Sequence, residues 1–400
     1  MSVYLLATLD TKGPDAAFLR DRLQQLGLKV MVVDTGCLGE SSIEADISRE
    51  DLFRAAGTSL QAMRDLGDRG QAVTNAAAGA AGLVRQAFHR GEVDGVIGLG
   101  GSAGTTIGTA AMRELPLGVP KLMVSTLASG QVRPYVGDKD ILMLNSVVDI
   151  AGINCISRRI LGEAAASMAG MVEYRLPAVA GDDKTLVAAT MFGVTTPCVQ
   201  RARAILEDAG FEVLVFHATG NGGQAMESLI SEGLIAGVLD ITTTELADEI
   251  VGGILSAGPG RLTAASRRGI PQVVSVGATD MVNFGPRETV PEAFRERKIH
   301  QHNPTVTLMR TTPEENARIG AEIGRKVAAS QGPAVILLPL QGVSAIDKTG
   351  QSFDDPTARD ALFDGVRQNR GSIELIELDN HINDDAFAET AAHKLLELMS

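Results

Sequence analysis

Residues 95–106, Gly-Val-Ile-Gly-Leu-Gly-Gly-Ser-Ala-Gly-Thr-Thr, carry a short apolar run straight into glycines, a serine and two threonines. Glycines at a strand end let the backbone approach a ligand closely, and the amides opening the next helix point at negative charge. The anion such a turn suits is a phosphate. Gly100, Gly101, Ser102 and Gly104 would form the cradle, with Ser102, Thr105 and Thr106 adding hydroxyl donors. The Gly-Lys-Ser/Thr ending of a Walker A loop is absent, so Lys12 would have to bring a cation from a neighbouring turn. The plain alternative is a tight strand–helix turn with no ligand.

Other residues would wall the same crevice: Asp10 and Thr11, then Asp34, Thr35 and Gly36, then Ser125 and Thr126. Either Asp10 or Asp34 is placed to meet a ribose. A second glycine loop, Gly220, Asn221, Gly222, Gly223, Gln224 and Ala225, fits the dinucleotide pattern G-x-G-x-x-A. Asp240 follows roughly 20 residues on, where a ribose-binding acid belongs. Against NAD, this loop follows the second strand of its half rather than the first. It would hold a second ligand or be the decayed twin of the first site.

Weaker constellations remain. His300 and His302 would offer two imidazoles to a metal, or form a solvated pair. Ser344, Asp347 and His381 invite a hydrolase reading, but the elbow pattern G-x-S-x-G is not met. Asp138 and Asp140 would bind magnesium, or simply make a polar loop.

The elements that must position these residues alternate. Strands are predicted at 3–10, 29–36, 93–100 and 121–126, with an amphipathic helix after the first and an alanine-rich helix over 73–89. This order implies parallel strands and right-handed crossovers. The stretch 184–220 repeats features of 3–36: Ala189-Thr190 matches Ala7-Thr8, Gly210 matches Gly27, and Thr219-Gly220 matches Thr35-Gly36. "VDGVIGL" likewise finds a counterpart in "IAGVLDI" at 235–241. Duplication follows, giving an N-terminal subdomain over 1–180 and a C-terminal subdomain over 181–400, joined by a helix from about Ser157 to Tyr174 and a linker over 175–183. The stretch 283–312 is predicted to be an elaborated loop, 333–347 a strand and turn, and 372–379 a closing strand. The fold class is α/β, two related Rossmann-like subdomains with mostly parallel doubly wound sheets. The loops at Asp10-Thr11, Asp34 to Gly36, Gly100 to Thr106, Ser125-Thr126, Gly220 to Gln224 and Gly342 to Asp347 all fall at strands' carboxyl ends, where such sheets bind ligands.

Composition narrows the function. The net charge of −13 argues against a nucleic-acid binder. Three scattered cysteines make no metal-spaced pair or disulfide framework, which favours a reducing compartment. No run reaches the roughly 20 apolar residues of a membrane span, and the N-terminus lacks a signal-peptide pattern. The expectation is a soluble cytoplasmic protein with neither nucleic-acid nor membrane partners.

With "ATLDTKG", "VVDTG", "GVIGLGGSAGTT", "HATGNGGQAME", "HNPTVTLMRTT", "PLQGVSAID" and "ELDNHIND" in that order, the chain resembles the Tm-one-like ATP-binding family nearly end to end. The family takes in many bacterial proteins and the amino-terminal part of a plant tobamovirus-resistance protein. The resemblance implies two Rossmann-like subdomains, a homodimer and ATP as ligand, with or without magnesium. It implies no reaction and no catalytic residues. Three readings stay open: a nucleotide-binding module without turnover, an ATP-dependent phosphoryl-transfer or ligation enzyme acting on a small carboxylate, and a dehydrogenase using NAD.

Overall fold

Strands that are apolar throughout need cover on both faces, and in the computed structural model helices provide it. The structure describes residues 2–37, 39–175 and 184–400. The chain divides into two compact units, Met1–Ala180 and Gly181–Ser400. Of the expected linker, all but Arg175 lies outside the described residues.

The first unit runs β1 (Ser2–Ala7), α1 (Leu9–Gln25), β2 (Val30–Asp34), α2 (Arg49–Ala55), α3 (Leu60–Leu66), α4 (Arg69–His89), β3 (Val93–Gly100), α5 (Ser102–Arg113), β4 (Lys121–Ser125), α6 (Arg133–Val136), β5 (Leu142–Asn145) and α7 (Cys155–Glu173). Its five strands are all parallel, in the order β2-β1-β3-β4-β5. Period-two alternation splits each strand between two cores. Val3, Leu5 and Ala7 pack with Leu19 and Leu23 of α1 and Leu161 and Ala164 of α7. Tyr4 and Leu6 face Phe53, Ala76, Ala80 and Ile107 on the other side.

The second unit runs β6 (Leu186–Met191), α8 (Thr196–Asp208), β7 (Glu212–His217), α9 (Asn221–Glu232), β8 (Gly237–Thr242), α10 (Thr244–Val251), α11 (Ala264–Arg268), β9 (Gln272–Gly277), β10 (Met281–Phe284), β11 (Ile299–Asn303), β12 (Val306–Arg310), α12 (Pro313–Ala328), β13 (Ala334–Pro339), α13 (Pro356–Asn369), β14 (Glu374–Leu378) and α14 (Asp385–Met399). Its main sheet is parallel and six-stranded, β14-β13-β9-β8-β6-β7. Counted from the start of each unit, both sheets place the second strand outside the first and the third on its other side. That shared winding is what two copies of one unit would have.

Besides the start of α4 at Arg69 rather than Val73, two details differ from the sequence reading. The stretch 283–312 is not a loop: β10, β12 and β11 form a three-stranded antiparallel sheet. Its strands have five residues or fewer, too short for alternation to stand out among the prolines and charges. The first strand also stops at Ala7, so Asp10 and Thr11 lie in the opening turn of α1, which is irregular at Lys12.

Helix α4 needs small residues to reach the sheet. Ala72, Ala76, Gly79, Ala80 and Ala87 are buried along it. A β-carbon on Gly79 would stand 2.2 Å from the Leu52 carbonyl oxygen of α2, which is backbone and cannot rotate away. Gly79→Val is therefore expected to cost about 2–3 kcal/mol, read as a lower urea midpoint at unchanged slope.

Candidate functional site

In the first sheet the strand order reverses between β1 and β3, the position where an open α/β sheet leaves a crevice. A cavity of about 250 Å³ opens there, between the turn into α1 and the start of α5. Gly101 precedes α5 and has no side chain with which to cap it. The first-turn residues Ser102, Ala103 and Gly104 line the cavity, and the first turn of a helix carries about half a positive charge on amides without partners inside the helix. The turn is tight at Gly100, where a β-carbon would lie 2.9 Å from Gly104 Cα. It is roomy at Gly101, whose nearest neighbour would be Thr126 Oγ1 at 3.7 Å.

Of the residues singled out in this half, the cavity brings together Asp10, Thr11, Lys12, Gly101, Ser102 and Gly104. The Lys12 ammonium donates to the Ile150 carbonyl. One Asp10 oxygen accepts from the Gly39 amide at 3.1 Å.

The others serve the scaffold. Asp34 is buried and accepts from the amides of Leu9 at 3.2 Å and Gly36 at 2.8 Å, and from the Ser41 hydroxyl. It ties the end of β2 to the start of α1 and has no free edge for a ribose. Thr35 is buried, its amide bonded to Ala7 O at 2.9 Å. Gly36 lets the Asp10 and Asp34 carboxylates come close, since a β-carbon there would lie within 3.0 Å of both. Thr105 does not donate into the cavity: it is buried, with Oγ1 2.7 Å from Ser125 Oγ, which also accepts from the Leu127 amide. The Thr106 hydroxyl bonds back to the Ser102 carbonyl at 2.9 Å. Thr126 faces a neighbouring hollow.

The cavity also has walls that the sequence reading missed, among them Cys37 and Arg69. Arg69 opens α4, whose N-cap is Asp68, bonded to the Gln71 amide at 3.0 Å. Starting that helix at Val73 hid it; the Asp68 cap was the available signal. The Arg69 guanidinium makes no hydrogen bond or ion pair with the described residues. Burial, reinforced by the charges of Asp10 and Asp34, pushes the Cys37 thiol up to about 11. It is therefore a thiol in the cavity, not a thiolate nucleophile.

The second glycine loop is differently occupied. Gly220, at φ 85, precedes α9. The amides of Gly220 and Gly223 donate to Glu245 Oε1 at 2.7 and 3.0 Å. Glu245 is fully buried in the first turn of α10 and pairs through Oε2 with Arg261 Nε at 2.6 Å. Arg261 also grips Asp240 with both terminal nitrogens, at 2.5 and 2.7 Å. Asp240 accepts in addition from the Thr190 hydroxyl at 2.7 Å. The expected ribose acid is thus a buried ion-pair partner, and a protein carboxylate stands where a pyrophosphate would. Burial raises the Glu245 carboxyl above its ordinary value despite the opposing Arg261 charge. Matching Gly95 of β3 to Gly237 of β8 sets Ala103 against Glu245. What fills the second loop is a side chain that the first half lacks.

The remaining candidates are engaged elsewhere. Ser344 donates to Asp280 Oδ2 at 2.8 Å, while His381 Nε2 meets the Ser344 carbonyl at 2.9 Å rather than its hydroxyl. Asp347 pairs with Arg359 at 2.9 Å and Arg310 at 3.4 Å. These groups are buried and make no nucleophile–base pair. His300 lies edge-on to Phe353, and His302 is on the same strand, β11. Asp140 is held by Lys121 at 2.7 Å. Among the described residues no group of three or more His, Cys, Asp or Glu side chains could hold a metal.

Two measurements check these networks. Removing Glu245 leaves Arg261 buried beside fewer charges, so Glu245→Ala is expected to cost about 3–5 kcal/mol in urea unfolding. Burial pushes the Asp248 carboxyl up to about 7, and burial together with the Asp347 charge raises Asp280. The folded protein then keeps protons that the unfolded chain releases from about pH 4. Stability from these groups is full at low pH and is lost as pH rises toward 7, by at most about 1.4 kcal/mol per unit per group. Urea titrations between pH 5 and 7 are expected to show the fall, and Asp280→Asn to flatten it.

Known proteins bear on the whole chain. Family models described as the N-terminal and C-terminal domains of an uncharacterised protein family, UPF0261, match residues 1–177 and 184–399. A UPF0261 protein of Clostridium tetani is 49% identical over 399 residues, 99% of this chain and 98% of that protein. The ToMV resistance protein Tm-1(GCR237) of Solanum lycopersicum is 40% identical over 419 residues, 99% of this chain and 55% of the tomato protein. Among solved structures, a putative UDP-N-acetylglucosamine 2-epimerase from Listeria monocytogenes is 12% identical, covering 99% of this chain and 95% of its own. Its TM-score of 0.24 carries no argument about the site. Among the described residues no helix is long and apolar enough to cross a membrane. Matched by both domain models and by relatives along its full length, the chain belongs to the UPF0261 family, which its motifs had marked as Tm-one-like.

Proposed function

We propose that this chain binds ATP, with the triphosphate held at the first turn of α5 in the cavity between β1 and β3. The observation that carries the reading is an uncapped helix N-terminus lining a cavity at the point of strand reversal. Phosphate oxygens supply the acceptors that the Gly101–Gly104 turn lacks. Arg69 stands at the same cavity to balance their charge, and Lys12 joins it by exchanging the Ile150 carbonyl for a phosphate oxygen. Asp10 is the cavity's acid, placed to meet a ribose hydroxyl or a magnesium ion carried in with the phosphates. At about 250 Å³ the cavity is slightly below the usual ligand cleft of about 300–1,000 Å³. It suits phosphates and ribose, with the base at its mouth.

The NAD reading loses its support, because the amides of Gly220 and Gly223 and the carboxylate of Asp240 already have internal partners. We read the protein as a homodimer on the family resemblance, and as cytoplasmic on its three scattered cysteines and the lack of a signal-peptide or membrane-span pattern. Its net charge of −13 speaks against a nucleic-acid partner. An enzyme that uses the same nucleotide on a small molecule is the second reading, favoured by the hollow at Thr126.

Calorimetric titration with ATP, ADP and NAD in magnesium tests this. ATP is expected to bind and NAD not. Gly101→Val, a position with room for a side chain, is expected to weaken ATP by about tenfold or more, near 1.4 kcal/mol. Ala103→Glu places in the first half the carboxylate that fills the second, and is expected to abolish binding while the thermal transition stays in place. ATP affinity indifferent to both substitutions would overturn the reading.

A further inference from the structure

Beyond the ends of β4 and β5, the same edge of the first sheet carries a second hollow, of about 360 Å³. Thr126 lines it and stands close to the turn that lines the first cavity: its Oγ1 lies 3.7 Å from where a β-carbon on Gly101 would stand. The far wall is the segment 145–149. Within it Val147, a β-branched residue, sits at φ 63 and is 67% exposed. A tight turn holds it there. The Val148 amide donates to the Ser146 carbonyl at 2.6 Å, the Ser146 hydroxyl donates to the Val148 carbonyl at 2.7 Å, and the Val147 amide reaches Asn145 Oδ1 at 3.3 Å. A β-branched residue keeps such a conformation only where its surroundings impose it, and such residues gather at ligand sites.

The chemistry of the lining selects the ligand. The hydroxyls of Thr126 and Ser129, the Asn145 amide nitrogen and the Asp149 carboxylate have no hydrogen-bond partner among the described residues. No lysine, arginine or histidine lines the hollow, so an anion would find no counter-charge. Hydroxyl groups donate and accept at once, which matches a wall of mixed donors and acceptors.

We propose that this hollow binds an uncharged polyhydroxy small molecule, a sugar or polyol, beside the phosphate-binding turn. The identity of its neighbour rests on the ATP reading; the hollow's own ligand does not.

Saturation-transfer NMR on the full chain tests it, with D-glucose, D-glucitol and myo-inositol as probes and ethanolamine and malonate as charged contrasts. Transfer to at least one polyol is expected, and about fivefold weaker binding in Asn145→Ala, Asp149→Asn and Ser129→Ala. Asp149 and Ser129 support no backbone turn, so those variants stay informative if Asn145→Ala unfolds. No polyol transfer, transfer indifferent to the variants, or stronger transfer to either charged contrast overturns the proposal. Polyol binding lost in the variants of a protein that does not bind ATP would keep the hollow and remove the nucleotide reading. ATP binding without polyol transfer would do the reverse.

Discussion

Every α-helix begins with amides that have no partner within the helix, and something must accept from them. In a doubly wound sheet those helix starts all lie on one edge, so the requirement is concentrated there. Four solutions coexist along this chain. Ser48, Ser59 and Asp68 cap their own helices with side-chain oxygens. Asp34 reaches across from a neighbouring strand to the first amide of α1. Glu245 fills the glycine loop of the second unit from the next helix along. The start of α5 receives no side-chain cap, and it lines a cavity.

The two units show how little separates an open crevice from a strut. Both wind their strands in the same order, and both bring a glycine loop to the edge. At matched positions one has Ala103 and the other Glu245. Two methylenes and a carboxylate exchange an open crevice for an ion-paired core around Arg261, in which Asp240 and Glu245 are almost wholly buried. Arg261 in turn is held charged: burial works against it, but Asp240 and Glu245 raise its pKa well above the ordinary value.

Much of the fold was legible in the sequence because apolar runs bounded by glycine and proline are a strong signal, and because the repeat at 184–220 doubled it. The glycine turn was legible too, since few residue types tolerate such an approach. What escaped were side-chain destinations. Thr105 and Ser125 look like ligand hydroxyls one at a time, yet they bond each other in the core. Nothing local in the sequence of Gly220–Gln224 announces that Glu245, more than twenty positions away, will occupy it. Arg69 was missed for a smaller reason, a helix start placed four residues late. The short antiparallel strands β10 to β12 were hidden by brevity.

Glu245 is tethered to the loop it fills, and a tethered group does not dilute. Dialysis, chelation or exhaustion of a cellular pool can empty a site that depends on a solute, whereas the second unit carries its anion wherever it goes. One half thus keeps this loop filled whatever the solute concentration, whereas a ligand taken up by the cavity of the other half would add stability that rises with its supply.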